Sequence, residues 1–143
     1  MQLVHRILTL NRTLRLARQV RQLEAAVDAL PAPLRDILAT LTQREMANAA
    51  RAEFPHLYGS APDKLYDNWG EGAEIGFERA RSDNPQVRVR GIALWLAVVY
   101  HETRDAETGA QAGLHRQVLH LLRLIKDGAG ARPEVSEGRG EAA

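Results

Sequence analysis

From residue 2 to residue 30 the chain contains neither glycine nor proline, and its large aliphatic residues recur at helical spacing, which predicts one helix or two abutting ones. At about 100° per residue, Leu3, Ile7, Leu10 and Leu14 fall on one stripe, while Leu16, Val20, Leu23, Val27 and Leu30 fall on another roughly opposite. One straight helix cannot present both stripes to one core. Either it breaks near Thr13, or its first half covers something other than its second half does. The second stripe has the 4-3-4-3 spacing of a coiled-coil seam but is too short to define one, and packing against the rest of the domain is the simpler expectation.

Pro31 and Pro33 end this segment and open the next, a helix expected over about residues 33–53 with Leu34, Ile37, Leu38 and Leu41 inward and Pro55 as its stop. Phe54 to Gly76 reads as turn-rich. Within it Ser60 and Asp63 form a capping box for a short helix reaching about Trp69, Gly70 and Gly72 break the backbone, and a further short helix from about Ala73 to Arg81 carries Ile75 and Phe77. Asp83, Asn84 and Pro85 combine an Asx cap with a first-turn proline and start a helix to about Arg104. That helix is apolar nearly all round from Ile92 to Tyr100, the mark of a buried central helix. A strand is the competing reading of so short an apolar run, and the cap and the length from Pro85 decide for helix. After a loop near residues 107–113, Leu114, Val118, Leu121, Leu122 and Ile125 share one stripe of a last helix to Lys126, ended by Gly128. Residues 128–143 hold too few apolar groups to offset the entropy of ordering and are expected to be a disordered tail.

The expected fold is therefore all-α: a four- to five-helix bundle over residues 31–127, preceded by an amphipathic basic helix over 1–30 that is an appendage or the first helix of the bundle. Every Phe, Tyr and Trp lies between Phe54 and Tyr100, which places the core there. Asp83-Asn84-Pro85-Gln86-Val87-Arg88, followed by Ile92, Ala93 and Leu96, resembles the second half of a HEAT repeat, and Pro33-Leu34-Arg35 with Ile37, Leu38 and Leu41 is a fainter copy. Repeat proteins need roughly three stacked units, so the resemblance implies a well-capped packed helix and not a solenoid.

Composition narrows the function. With 143 residues there is room for one domain; with no cysteine there is no disulfide framework or thiolate chemistry, and a reducing compartment, the cytoplasm, fits best. Arginine replaces lysine almost everywhere except Lys64 and Lys126, and alanine and glycine are plentiful, as in a GC-rich bacterial genome. No apolar run approaches the roughly 18 residues of a transmembrane helix, and arginines interrupt any signal-like segment at the N-terminus. That arginine-rich, acid-free start has the look of an organelle transit peptide but almost none of its serine.

Three groups of residues invite chemistry. Arg6, Arg12, Arg15, Arg18 and Arg21 precede the first acidic residue, Glu24, within a chain whose formal net charge is only +1. Beside Leu3, Ile7, Leu10 and Leu14 they form a basic amphipathic surface suited to a protein partner, a second copy of the chain, nucleic-acid phosphates or an anionic membrane. No aromatic interleaves with these arginines to stack on bases, which weakens the nucleic-acid reading. Asp63, Tyr66, Asp67, Trp69, Glu71, Glu74 and Glu78 form an acidic–aromatic run, followed by Arg79, Arg81, Arg88 and Arg90 of opposite sign; pairing of the two runs across helices, or reception of the basic helix, is expected. The histidines offer no metal spacing, since His101-Glu102 lacks a second histidine four residues on and His115 and His120 lie on different helical faces. His101, with Arg104, Tyr66 and Trp69, could still shape a ligand pocket. The leading expectation is a non-enzymatic bacterial interaction or regulatory module that uses Leu3, Ile7, Leu10, Leu14, Arg6, Arg12, Arg15 and Arg18 to bind a protein partner or itself. A nucleic-acid-associated protein using Arg6 to Arg21 is the alternative, and a small helical enzyme the third. No catalytic residue, metal or cofactor is assigned.

Overall fold

The computed structural model describes residues 2–59 and 64–137, the last of these, 129–137, as backbone alone. The helices are α1 (Gln2–Asp28), α2 (Ala32–Glu53), α3 (Pro55–Tyr58), α4 (Trp69–Ala80), α5 (Pro85–Arg104) and α6 (Gly109–Glu137), with a 3-10 turn at Lys64–Tyr66. No strand occurs among the described residues, and none of their helices is long and apolar enough to cross a membrane.

Helix α5 is the axis, with α1, α2, α4 and α6 all packed on it. Its start is fixed as the sequence indicates: the Asn84 side chain accepts from the Gln86 and Val87 amides at 2.9 and 3.4 Å, and Pro85 fills the first turn. Every residue from Gly91 to Val99 is buried, because a helix enclosed by four others has no solvent side.

The crossing of α4 and α5 corrects the turn-rich reading. Gly70 and Gly72 do not break the backbone; α4 begins at Trp69, capped by Asn68, whose side chain accepts from the Glu71 amide at 3.2 Å, and runs through both glycines. The reason is close approach. A Cβ at Gly76 would lie 2.8 Å from Trp95 Cβ, and one at Gly91 would lie 2.5 Å from the Ala80 amide nitrogen, so small residues on both helices let the two backbones meet. Pro55 does not simply stop α2 but opens the short α3, and the Ser60–Asp63 capping box lies outside the described residues.

At the C-terminal side α6 begins at Gly109, earlier than the stripe alone indicates, and its backbone continues past Gly128 to Glu137. Gly128 does not have the positive φ of a left-handed helix cap; among the described residues Gly59 is the glycine with positive φ, at 97°. Residues 138–143 of the expected tail lie outside the described residues. Helix α1 is unbroken through Thr13, so its two opposed stripes do face different surroundings.

Candidate functional site

Leu16, Val20, Leu23 and Val27 are buried against α5 and α6. One and a half turns earlier the helix is inverted. Leu3, Val4, Ile7, Leu8, Leu10 and Leu14 are 49 to 68% exposed, and it is the polar side of this half that faces the protein. Arg12 Nη2 donates to the Glu102 carbonyl at 2.9 Å, satisfying one of the free carbonyls at the α5 C-terminus, and its Nη1 lies 3.9 Å from Glu107 Oε1. Arg15 Nη2 meets Glu102 Oε2 at 3.3 Å. The buried Gln111 of α6 donates to Thr13 Oγ1 at 2.9 Å and accepts from the Glu107 amide at 3.0 Å, while Thr13 donates to the Thr9 carbonyl at 2.8 Å. Between this side of α1 and the α5–α6 connection lies a cleft of about 340 Å³ lined by His5, Arg6, Thr9, Leu10, Thr13, Glu107, Thr108 and Ala110.

The structure thus separates the arginines that the sequence grouped together. Arg12 and Arg15 are anchors that lock the orientation of α1, with carboxylates as partners. Arg6, Arg18 and Arg21 are exposed and enter no ion pair among the described residues. At helical spacing Arg18 and Arg21 continue the outward leucine stripe, so the outer face of α1 reads apolar first and basic afterwards.

The second expected group also assembles. The Trp69 ring stacks on His101 with centroids 5.3 Å apart and planes 6° from parallel, and Tyr66 meets Trp69 edge-on at 6.1 Å. The Tyr66 hydroxyl is hydrogen-bonded to Glu45. Arg104 Nη2 donates to both Glu53 carboxylate oxygens at 2.6 Å, and its Nη1 lies 3.3 Å from His101 Nδ1. His101 Nδ1 also lies 3.8 Å from Glu53 Oε2, and Nε2 is buried without a hydrogen-bond partner among the described residues. Burial pushes His101 below its ordinary pKa; the Glu53 carboxylate opposes this and Arg104 reinforces it. His115, hydrogen-bonded to Thr103 at 2.9 Å, is lowered mainly by burial and then by Arg104. The hydrogen bond that Arg104 donates to the Glu53 carboxylate raises the Arg104 pKa. These side chains contact one another, a stacked and charge-paired knot joining α2, α4, α5 and α6.

A recess of about 580 Å³ opens at the far end of α1, floored by Val27, Leu38, Leu121 and Ile125. Its polar rim is Glu24, Asp28, Arg35 and His120, and Arg35 is committed to the Leu30 and Asp28 carbonyls at 2.9 and 2.8 Å. None of the groups with displaced proton affinity lines it. Among the described residues no cluster of three His, Asp or Glu is placed to hold a metal.

Among the described residues the acidic run forms no ion pair with Arg79, Arg81, Arg88 or Arg90, and Asp63 lies outside them. Asp67, Glu71, Glu74 and Glu78 are exposed, Arg81 instead lies over the Phe77 ring at 5.3 Å, and Arg88 donates to the Ser82 carbonyl at 3.3 Å. Glu53 and Gln111, which help hold the two clusters together, gave no signal in the sequence, because isolated polar residues within helical segments read as solvated positions until the fold buries them; Glu102 stood out only as a neighbour of His101. Comparison of the chain with known protein families, curated proteins and solved structures finds no match.

Proposed function

We propose that this chain is a non-enzymatic docking module of the bacterial cytoplasm, an interaction or regulatory protein whose working surface is the outward face of the first half of α1. One observation carries the reading: six large aliphatic side chains stand in solvent on a helix whose polar side is fixed to the body by Arg12, Thr13 and Arg15. A contiguous apolar face of this size on an otherwise well-packed protein marks an association surface. The clamp prevents the helix from turning its leucines inward. An enzymatic reading is weaker, since the displaced histidines belong to a packed knot and the recess holds none of them. Phosphate binding is weakened too, since Arg12 and Arg15 already have carboxylate partners.

The test is the double substitution Ile7→Asp with Leu10→Asp. At a concentration low enough for the chain to be monomeric, it is expected to leave far-UV helicity and the melting temperature within experimental error of wild type. Loss of the fold would show that the stripe is structural and would remove the support for docking.

A further inference from the structure

The outward stripe has a length, a spacing and a charge layout that select its occupant. Leu3, Ile7, Leu10 and Leu14 follow 4-3-4 spacing, the period at which one helix seats its side chains between those of another, and Val4 and Leu8 widen one flank. The other exposed large hydrophobics, Ile37, Phe54, Leu57, Tyr58, Leu119 and Leu124, are dispersed over α2, α3, α6 and the residue joining α2 to α3, and none of those segments matches the stripe in length. The surface of this chain that does match it is the same stripe on another molecule. Covering it on two copies removes on the order of 1,200 Å² from water, the lower edge of stable protein interfaces.

We infer that α1 pairs with α1 of a second copy, antiparallel, about a two-fold axis between Leu8 and Thr9, so that Leu3 of each copy meets Leu14 of the other and Ile7 meets Leu10. The arginines choose the direction. A parallel pair would set Arg6, Arg18 and Arg21 each level with its own counterpart, and like charges so placed repel. In the antiparallel register Arg6 is level with Asn11 and Arg15 with Gln2, so neither faces its own counterpart. The contact is isologous and closes as a dimer. This inference rests on the docking reading of the same face and goes further by naming what docks.

The absence of cysteine makes a clean experiment possible. Sedimentation equilibrium of the full chain is expected to show a monomer–dimer equilibrium, and the Ile7→Asp/Leu10→Asp variant to weaken it by about a hundredfold or more, because two carboxylates from each copy must then be buried at the seam. For the register, Leu3→Cys and Leu14→Cys variants are prepared separately. Mixed under mild oxidation they should form the heterotypic disulfide, while each alone should not, since the two copies of either position lie about 16 Å apart along the axis. Homotypic cross-links in place of the mixed one would overturn the antiparallel arrangement. A strictly monomeric chain at about 100 µM, or a dimer insensitive to the Asp pair, would overturn self-pairing. A monomer that co-sediments with phosphatidylglycerol vesicles, and loses this with the Asp pair, would equally overturn self-pairing while leaving docking intact. An Asp variant that unfolds would instead remove docking itself.

Discussion

The two halves of α1 are made of the same residue types at the same spacing and belong to one unbroken helix, yet Leu16 and Leu23 are fully buried while Leu10 and Leu14 stand more than half exposed. Intrinsic helix propensity cannot account for this, since it treats both halves alike. The difference lies in what each half can reach. The second half lies along α5 and α6, where Trp95 Nε1 donates to Gln19 Oε1 at 3.3 Å. The first half meets the polar junction of α5 and α6, where Glu102, Glu107 and Gln111 present hydrogen-bonding groups that only Arg12, Thr13 and Arg15 can satisfy. A buried carboxylate left without its arginine would be costly, and that cost fixes the rotation of the helix and turns the leucines outward.

Substitutions measure this contrast. Leu16→Asp should produce the largest effect, abolishing the folded state in far-UV circular dichroism, because an unpaired charge would sit at a fully buried site. Leu23→Ala is expected to cost about 2–5 kcal/mol in urea titration, through lost transfer free energy and the cavity left behind. Arg15→Ala should cost about 1–3 kcal/mol, because it leaves the Glu102 carboxylate buried with one oxygen already unpartnered; replacing Glu102 by Gln in the same background should recover part of the loss. Recovery would identify the clamp as the device that orients the helix, and its absence would show that packing alone does so.

A pH effect separates the knot around α5 from the surface of α1. His101 and His115 have folded pKa values below the ordinary 6.5, so the unfolded chain binds protons more readily and stability is lost as pH falls from about 6.5 towards the lower folded values. Melting temperatures should therefore drop between pH 7.5 and pH 5, and the drop should shrink in His101→Gln, whereas Ile7→Asp/Leu10→Asp should leave its size unchanged. Measured at a concentration where the chain is monomeric, Leu10→Ala should be the smallest effect, within about 0.5 kcal/mol of wild type, as for surface positions generally. A loss comparable to that of Leu23→Ala would abolish the distinction between the halves.

Much of this was legible in the residues. The two opposed stripes announced that α1 has two environments, and Asn84-Pro85 with the apolar run from Ile92 announced the central helix, whose bounds at Pro85 and Arg104 match the structure. Tyr66, Trp69, His101 and Arg104 do come together. Other features were not legible for identifiable reasons. Gly70 and Gly72 read as breakers because local rules see backbone freedom and not the Leu65 carbonyl and Val98 side chain that crowd a Cβ at Gly72. Arg12 and Arg18 looked equivalent because charge along a sequence carries no information about which acceptor, here the Glu102 carbonyl, lies ninety residues away.

The sequence by itself determined that the chain is helical, where its central helix starts and that one stripe of α1 would be surplus to the core, since periodicity, caps and proline are local properties of a few neighbouring residues. Only the tertiary structure decided which arginines are anchors and which remain free. Those outcomes depend on the desolvation of groups distant in sequence, Glu102 and Gln111 above all, whose need for partners arises only once the helices have packed.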